Sequence, residues 1–178
     1  MQNKDRARLG MGALAMAGLV ACSIAGMQSS MPAKMVGEWR WGTINPTTFY
    51  DKSNGAYLGH GGGMSCTFVF NPDGTYHKFF YVESTPAAGW TTKIWSDSEG
   101  KVVVEGDMFR LKPTKGHYVS KDTQVKKYNF ERAMTEADLK NEAATKYRWS
   151  LTSGTDGKPV MVIAPGGTGQ GSQFRKEK

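Results

Sequence analysis

The residues most able to do chemistry in this chain lie in "GHGGGMS", residues 59–65, where His60 stands beside three consecutive glycines. Backbone amides in such a run can hold an oxyanion. A hydrolase built on that loop also needs a nucleophile on a G-x-S-x-G elbow above a large α/β sheet, and the chain offers neither. The glycines therefore read as a tight or flexible loop at the mouth of the fold, with His60 at its rim. His60, His77 and His117 are all the histidines present, with no two at metal-ligand spacing and no acidic pair beside them. "GGTGQG", residues 166–171, has the composition of a phosphate cradle, but no helix-forming segment follows it, so it reads as a C-terminal loop. No Ser/His/Asp set or paired carboxylates emerge from spacing. The expectation is a protein without catalytic residues, cofactor or metal.

The two cysteines carry different messages. Cys66 lies in "MSCTFVF" and alternates with Met64, Phe68 and Phe70, which places its sulfur on the apolar face of a strand. Cys22 ends a thirteen-residue uncharged run, Leu9 to Ala21, that follows Lys4, Arg6 and Arg8. As a helix that run would reach about 20 Å, short of the ~30 Å of a bilayer core. A basic flank before a short apolar run is the layout of an export signal. "LVAC", residues 19–22, resembles the lipobox of bacterial lipoproteins. The resemblance implies that residues 1–21 are a signal peptide and that Cys22 becomes the lipidated first residue. It also implies an exported, lipid-anchored protein. By the family's sorting pattern Ser23 favours the outer membrane, facing the periplasm, if the host is Gram-negative. Two or more acyl chains hold a protein on a membrane far better than one.

The elements that must position the remaining residues are read from patterning. Removing 21 residues from 178 leaves 157, the length of one domain. Its charge is 20 basic against 15 acidic residues, +5, once Lys4, Arg6, Arg8 and Asp5 are removed. The basic residues are scattered, which suits a solvated surface. Residues 22–33 are small and polar and read as a tether, with the folded domain at 34–178. From Met35 onward, short aromatic and β-branched segments alternate with turn signals, the signature of an antiparallel all-β domain. Strands are expected at 36–44, 64–70, 75–83, 90–96, 101–105, 107–112, 124–131, 147–152 and 159–163. Turns are expected at 84–89, 96–100, 105–107, 112–116 and 153–157. In "TFVFNPDGTYHKFF" Pro72, Asp73 and Gly74 predict a hairpin in which Asn71 pairs with Thr75 and Phe70 with Tyr76. Thr135 and Asp138 have capping-box spacing before "EADLKNEAATK", whose Leu139 and Ala143 share a face. One short helix packed on the side or end of an eight- to nine-stranded barrel is the expectation.

"MVGEWRWGTI" supplies Gly37 and Trp39 as a G-x-W at the first strand. This resembles the entrance motif of lipocalin-like barrels, in which the tryptophan closes one end beneath an arginine from the end of the chain. Arg175 of "SQFRKEK" stands in that place. Read from the residues alone, Trp39 fits an ordinary core position equally well. A T-D-Y-like second motif is absent, and the helix precedes the last strands instead of following the barrel. Small inhibitor-like barrels on bacterial lipoproteins are resembled to the same degree.

Two functions remain open from sequence. One is a non-catalytic binding module whose cup holds a small apolar or amphipathic molecule, lined by Trp41, Phe68, Phe80 and Trp149, with His60 at the rim. The other is an envelope structural or interaction protein that docks a protein partner through exposed aromatics, since "FFY" at 79–81 puts apolar bulk on both faces of one strand. Nucleic acid is not an expected partner of an exported chain.

Overall fold

A computed structural model describes residues 31–45, 49–50, 57–59, 62–166 and 169–177. The signal segment, Cys22 and His60 lie outside the described residues. The strands are β1 (Gly37–Asn45), β2 (Phe49–Tyr50), β3 (Tyr57–Gly59), β4 (Gly62–Phe70), β5 (Thr75–Ala87), β6 (Trp90–Glu105), β7 (Met108–Asp122), β8 (Phe130–Ala133), β9 (Lys146–Ser153), β10 (Pro159–Pro165) and β11 (Ser172–Lys176). A 3₁₀ turn (Lys126–Tyr128) and one helix, α1 (Glu136–Ala144), complete the elements.

All pairings are antiparallel. Eight strands close a ring in the order β1, β4, β5, β6, β7, β9, β10, β11 and back to β1, and β8 adds to the far half of β7. The all-β antiparallel barrel expected from the sequence is therefore what forms. The seam between β7 and β9 is short, from Met108 opposite Arg148 to Arg110 opposite Lys146. Past Arg110 there is no β9 beside β7, because β9 begins at Lys146, and β7 pairs with β8 from His117 to Ser120 instead. The sheet thus closes at one end and splays at the other. A two-stranded ribbon, β2 with β3, is separate.

The β4–β5 hairpin has the expected register: Asn71 N–H donates to the Thr75 carbonyl at 2.9 Å, and Phe70 faces Tyr76. Gly74 takes φ 76°, the left-handed conformation that this turn requires of its last residue. Two expected turns are not turns. Residues 96–100 lie within the continuous strand β6 and 112–116 within β7, and they oppose each other, with Glu99 against Lys115 and Gly100 against Pro113. Thr114 is the extra residue of a bulge. The proline and glycine that suggest a reversal instead permit the bulge, since a Cβ on Gly100 would strike the Lys112 carbonyl. The segment expected as a strand at 124–131 becomes the 3₁₀ turn followed by β8. A strand absent from the expected set, β11, joins β10 to β1 and completes the ring.

The closed end is solid. Trp39, Phe68, Phe70, Phe109, Leu111 and Met161 are buried inside it, and each such side chain contributes roughly 1.5–3 kcal/mol. Phe68 stacks on Phe70 at 5.6 Å between centroids, and Phe109 meets Phe70 edge-on at 5.6 Å. Met31 and Met35 pack into the same core.

Candidate functional site

Strand alternation determines which side chains reach the interior of the splayed end. On β4 the inward set continues from Phe70 and Phe68 to Cys66, and on β5 the residues opposite them are Tyr76, Lys78 and Phe80. On β1, Trp39 and Trp41 oppose Phe68 and Cys66. Gly42 follows Trp41 with φ 95°, and a Cβ there would run into the Met64 backbone, so the glycine lets β1 and β4 approach closely beside the tryptophan.

These strands frame an apolar cleft of about 290 Å³ above the solid core. Phe68, Ile163 and Phe174, all nearly fully buried, are among its lining, and Trp41, Phe80 and Tyr147 are half-buried walls. Trp41 tilts toward Phe174 at 6.2 Å, and Tyr147 stacks on Phe109 at 4.9 Å, which fixes both walls to the core. Among the described residues of the lining, Lys78 is the only charged one.

A polar cluster adjoins the cleft on the same inward face. Lys78 Nζ lies 3.3 Å from Glu142 Oε1, and Ser98 Oγ donates to the same oxygen at 2.7 Å. Glu142 comes from α1, so the helix reaches across to β5 and β6 through this carboxylate. The Thr135–Asp138 capping box expected from sequence starts the helix, and Leu139, Glu142 and Ala143 form its half-buried side. Burial alone would lower the Lys78 ammonium, but Tyr147, Glu142 and Cys66 outweigh it and the group sits above the ordinary lysine value. Burial pushes the Cys66 thiol up to about 11, which makes it a packing group and not a nucleophile at neutral pH. Burial likewise raises the Tyr147 phenol. The Tyr76 hydroxyl, close to Ser98 and Glu142, is the one fully buried side-chain polar atom among the described residues without a hydrogen-bond partner.

The expected site residues divide among these features. Trp41, Phe68 and Phe80 line one cleft together. Trp149 does not join them: it is buried in the core, its Nε1 donates to the Gly106 carbonyl at 3.2 Å, and Lys34 lies over its ring. Gly37 opens β1, and Trp39 closes the solid end, donating from Nε1 to the Met35 carbonyl at 2.7 Å. The cation over Trp39 is Lys176, at 5.5 Å, and not Arg175. Register is the reason: Lys176 opposes Trp39 and shares its face, whereas Arg175 opposes Arg40 on the outside.

Lys78, Tyr147, Ile163 and Phe174 also line the cleft and Glu142 is bonded to Lys78, and none of the five is expected from the sequence. Lys78 had a signal, a lysine alternating with Tyr76 and Phe80 on one strand face. Glu142 had none, because nothing local says where the helix lies. Among the described residues no three His, Cys, Asp or Glu side chains come together as metal ligands. Compared with known proteins, the chain matches no family model, and no curated protein matches it.

Proposed function

We propose that this chain is a lipid-anchored envelope protein of lipocalin-like design that binds a small apolar or amphipathic molecule and performs no covalent chemistry on it. The observation that carries the reading is the cleft of about 290 Å³ walled by Trp41, Phe68, Phe80 and Phe174 beside the core. A concave apolar space with few polar groups is the common form of a small-ligand site. The anchor is Cys22, exposed as the first residue after removal of 1–21, and it places the cleft beside a membrane, where amphiphiles are concentrated. Outer-membrane attachment facing the periplasm follows if the host is Gram-negative.

The test is mass spectrometry of the chain made with its own leader in a Gram-negative host. Expected are a covalent diacylglycerol mass on the peptide beginning at Cys22 and, under native conditions, a noncovalent small-molecule mass lost on denaturation. An unmodified Cys22 would remove the anchor. A bare folded mass that persists after incubation with envelope lipid extract would remove the ligand.

One observation favours the second reading, a protein-docking surface. Met64, Val82, Ile94, Ser120 and Phe130 oppose one another in register across five strands and so share one face. Met64, Ile94 and Phe130 are 43, 42 and 45 % exposed. A row of this kind on the splayed sheet suits a protein partner, and crosslinking from Ile94 in intact cells would capture one.

A further inference from the structure

The cleft combines apolar walls with one cation, and the charge balance around that cation constrains the ligand. Lys78 is on the inward face of β5 and its side chain is 20 % exposed. An ammonium has three donors. Glu142 Oε1 accepts from Lys78 at 3.3 Å, and the Tyr147 phenol stands beside it. Glu142 is 8 % exposed and also accepts from Ser98, so its carboxylate is held beside Lys78 on the inward face. Lys78 lines the cleft, and Glu142 balances its charge.

Three ligand classes respond differently to such a wall. A pure hydrocarbon would cover the ammonium and offer no acceptor, which leaves a desolvated donor unsatisfied. A carboxylate or phosphate head would accept from Lys78 but would bring a second anion close to Glu142, whose charge Lys78 already balances, and the two anions would repel. An uncharged oxygen, as in an ester, an alcohol or an amide, accepts from Lys78 and adds no charge. We propose that the cleft selects an uncharged amphiphile whose acceptor oxygen meets Lys78 and whose hydrocarbon lies against Trp41, Phe80 and Phe174. This rests on the cleft being a ligand site, and it names the ligand's chemical class.

The test is displacement of the neutral fluorescent probe N-phenyl-1-naphthylamine from the full chain carrying Cys22→Ser, purified without detergent. The competitors are methyl decanoate, decanoate and decane. At about pH 7, where decanoate is ionised, methyl decanoate should compete at least about fivefold better than decanoate or decane. Glu142→Gln leaves Lys78 uncompensated and should improve decanoate by about tenfold relative to the ester. Should Glu142→Gln fail to fold by circular dichroism, the double variant Lys78→Met with Glu142→Leu removes both charges together and should abolish the preference for ester over decane. Decanoate competing best in the unaltered site would overturn the inference, as would an ester-to-acid ratio unmoved by Glu142→Gln. Probe binding that all three competitors displace equally would overturn the inference and leave the cleft as a ligand site. A folded chain that binds neither probe nor competitors would remove both.

Discussion

At the far end of the β6–β7 hairpin, the Asp122 carboxylate holds two segments together. One oxygen accepts from the Thr92 hydroxyl and the Trp90 indole, and the other from the backbone N–H groups of Gln124 and Val125, at 2.8 and 2.6 Å. These donors, the Thr92 hydroxyl first, hold its pKa down at about 2, against an ordinary value of 3.8. Because the folded value lies below the unfolded one, the contribution to stability is present above pH 3.8 and is lost as pH falls toward 2. Asp122→Asn should therefore lower stability at neutral pH and flatten its decline between those two values, measured by urea unfolding at a series of pH values. An unchanged decline would mean that other carboxylates carry the acid transition. Residue-scale legibility follows the same divide between local and distant partners. The turn at Pro72–Gly74 and the capping box at Thr135 are made by neighbours in sequence, so residue types specify them. Asp122 gains its role from Thr92 and Trp90 on another strand, which no local pattern announces.

At the scale of elements, α1 is held more by polar ties than by burial. None of its residues is fully buried, and its ties to the barrel are the Glu142 contacts and the Arg132 guanidinium, which donates to Asp138 at 2.6 Å. The Thr135 hydroxyl accepts from the Asp138 N–H, while Asp138 accepts from the Thr135 N–H at 2.8 Å. Thr135→Ala should cost about 1 kcal/mol, which corresponds to roughly fivefold faster amide exchange across the helix. Exchange in β1, on the far side of the ring, should not change. Equal acceleration in both would mean that the helix and the barrel open as one unit. The sequence shows this helix plainly because capping and composition agree. It misplaces the β6–β7 pairing because proline and glycine spell a bulge and a turn with the same letters. β11 is missed because "SQFRK" alternates only Phe174 among polar residues, and its partners β1 and β10 supply most of the reason to be a strand.

The described residues form a barrel with an aromatic core at one end. Aromatic side chains from β1, β4 and β7 meet there, and where no β9 runs beside β7 lie α1, the Lys78–Glu142 pair and the cleft. From the sequence, the all-β class and three of the cleft residues, Trp41, Phe68 and Phe80, are legible because alternation sorts inward from outward positions. The depth of each residue along the barrel is not, since it depends on strand stagger, and Trp149 is buried in the core outside the lining of this cleft. Filling the cleft with a ligand is the central claim, and Phe80 is the wall that tests it most directly. Titration of N-phenyl-1-naphthylamine into the chain carrying Cys22→Ser should saturate at one site. Phe80→Glu, which puts a charge on the apolar wall, should weaken binding about tenfold or more with the circular dichroism spectrum unchanged. Equal binding by a folded Phe80→Glu variant would place the probe elsewhere and contradict the account.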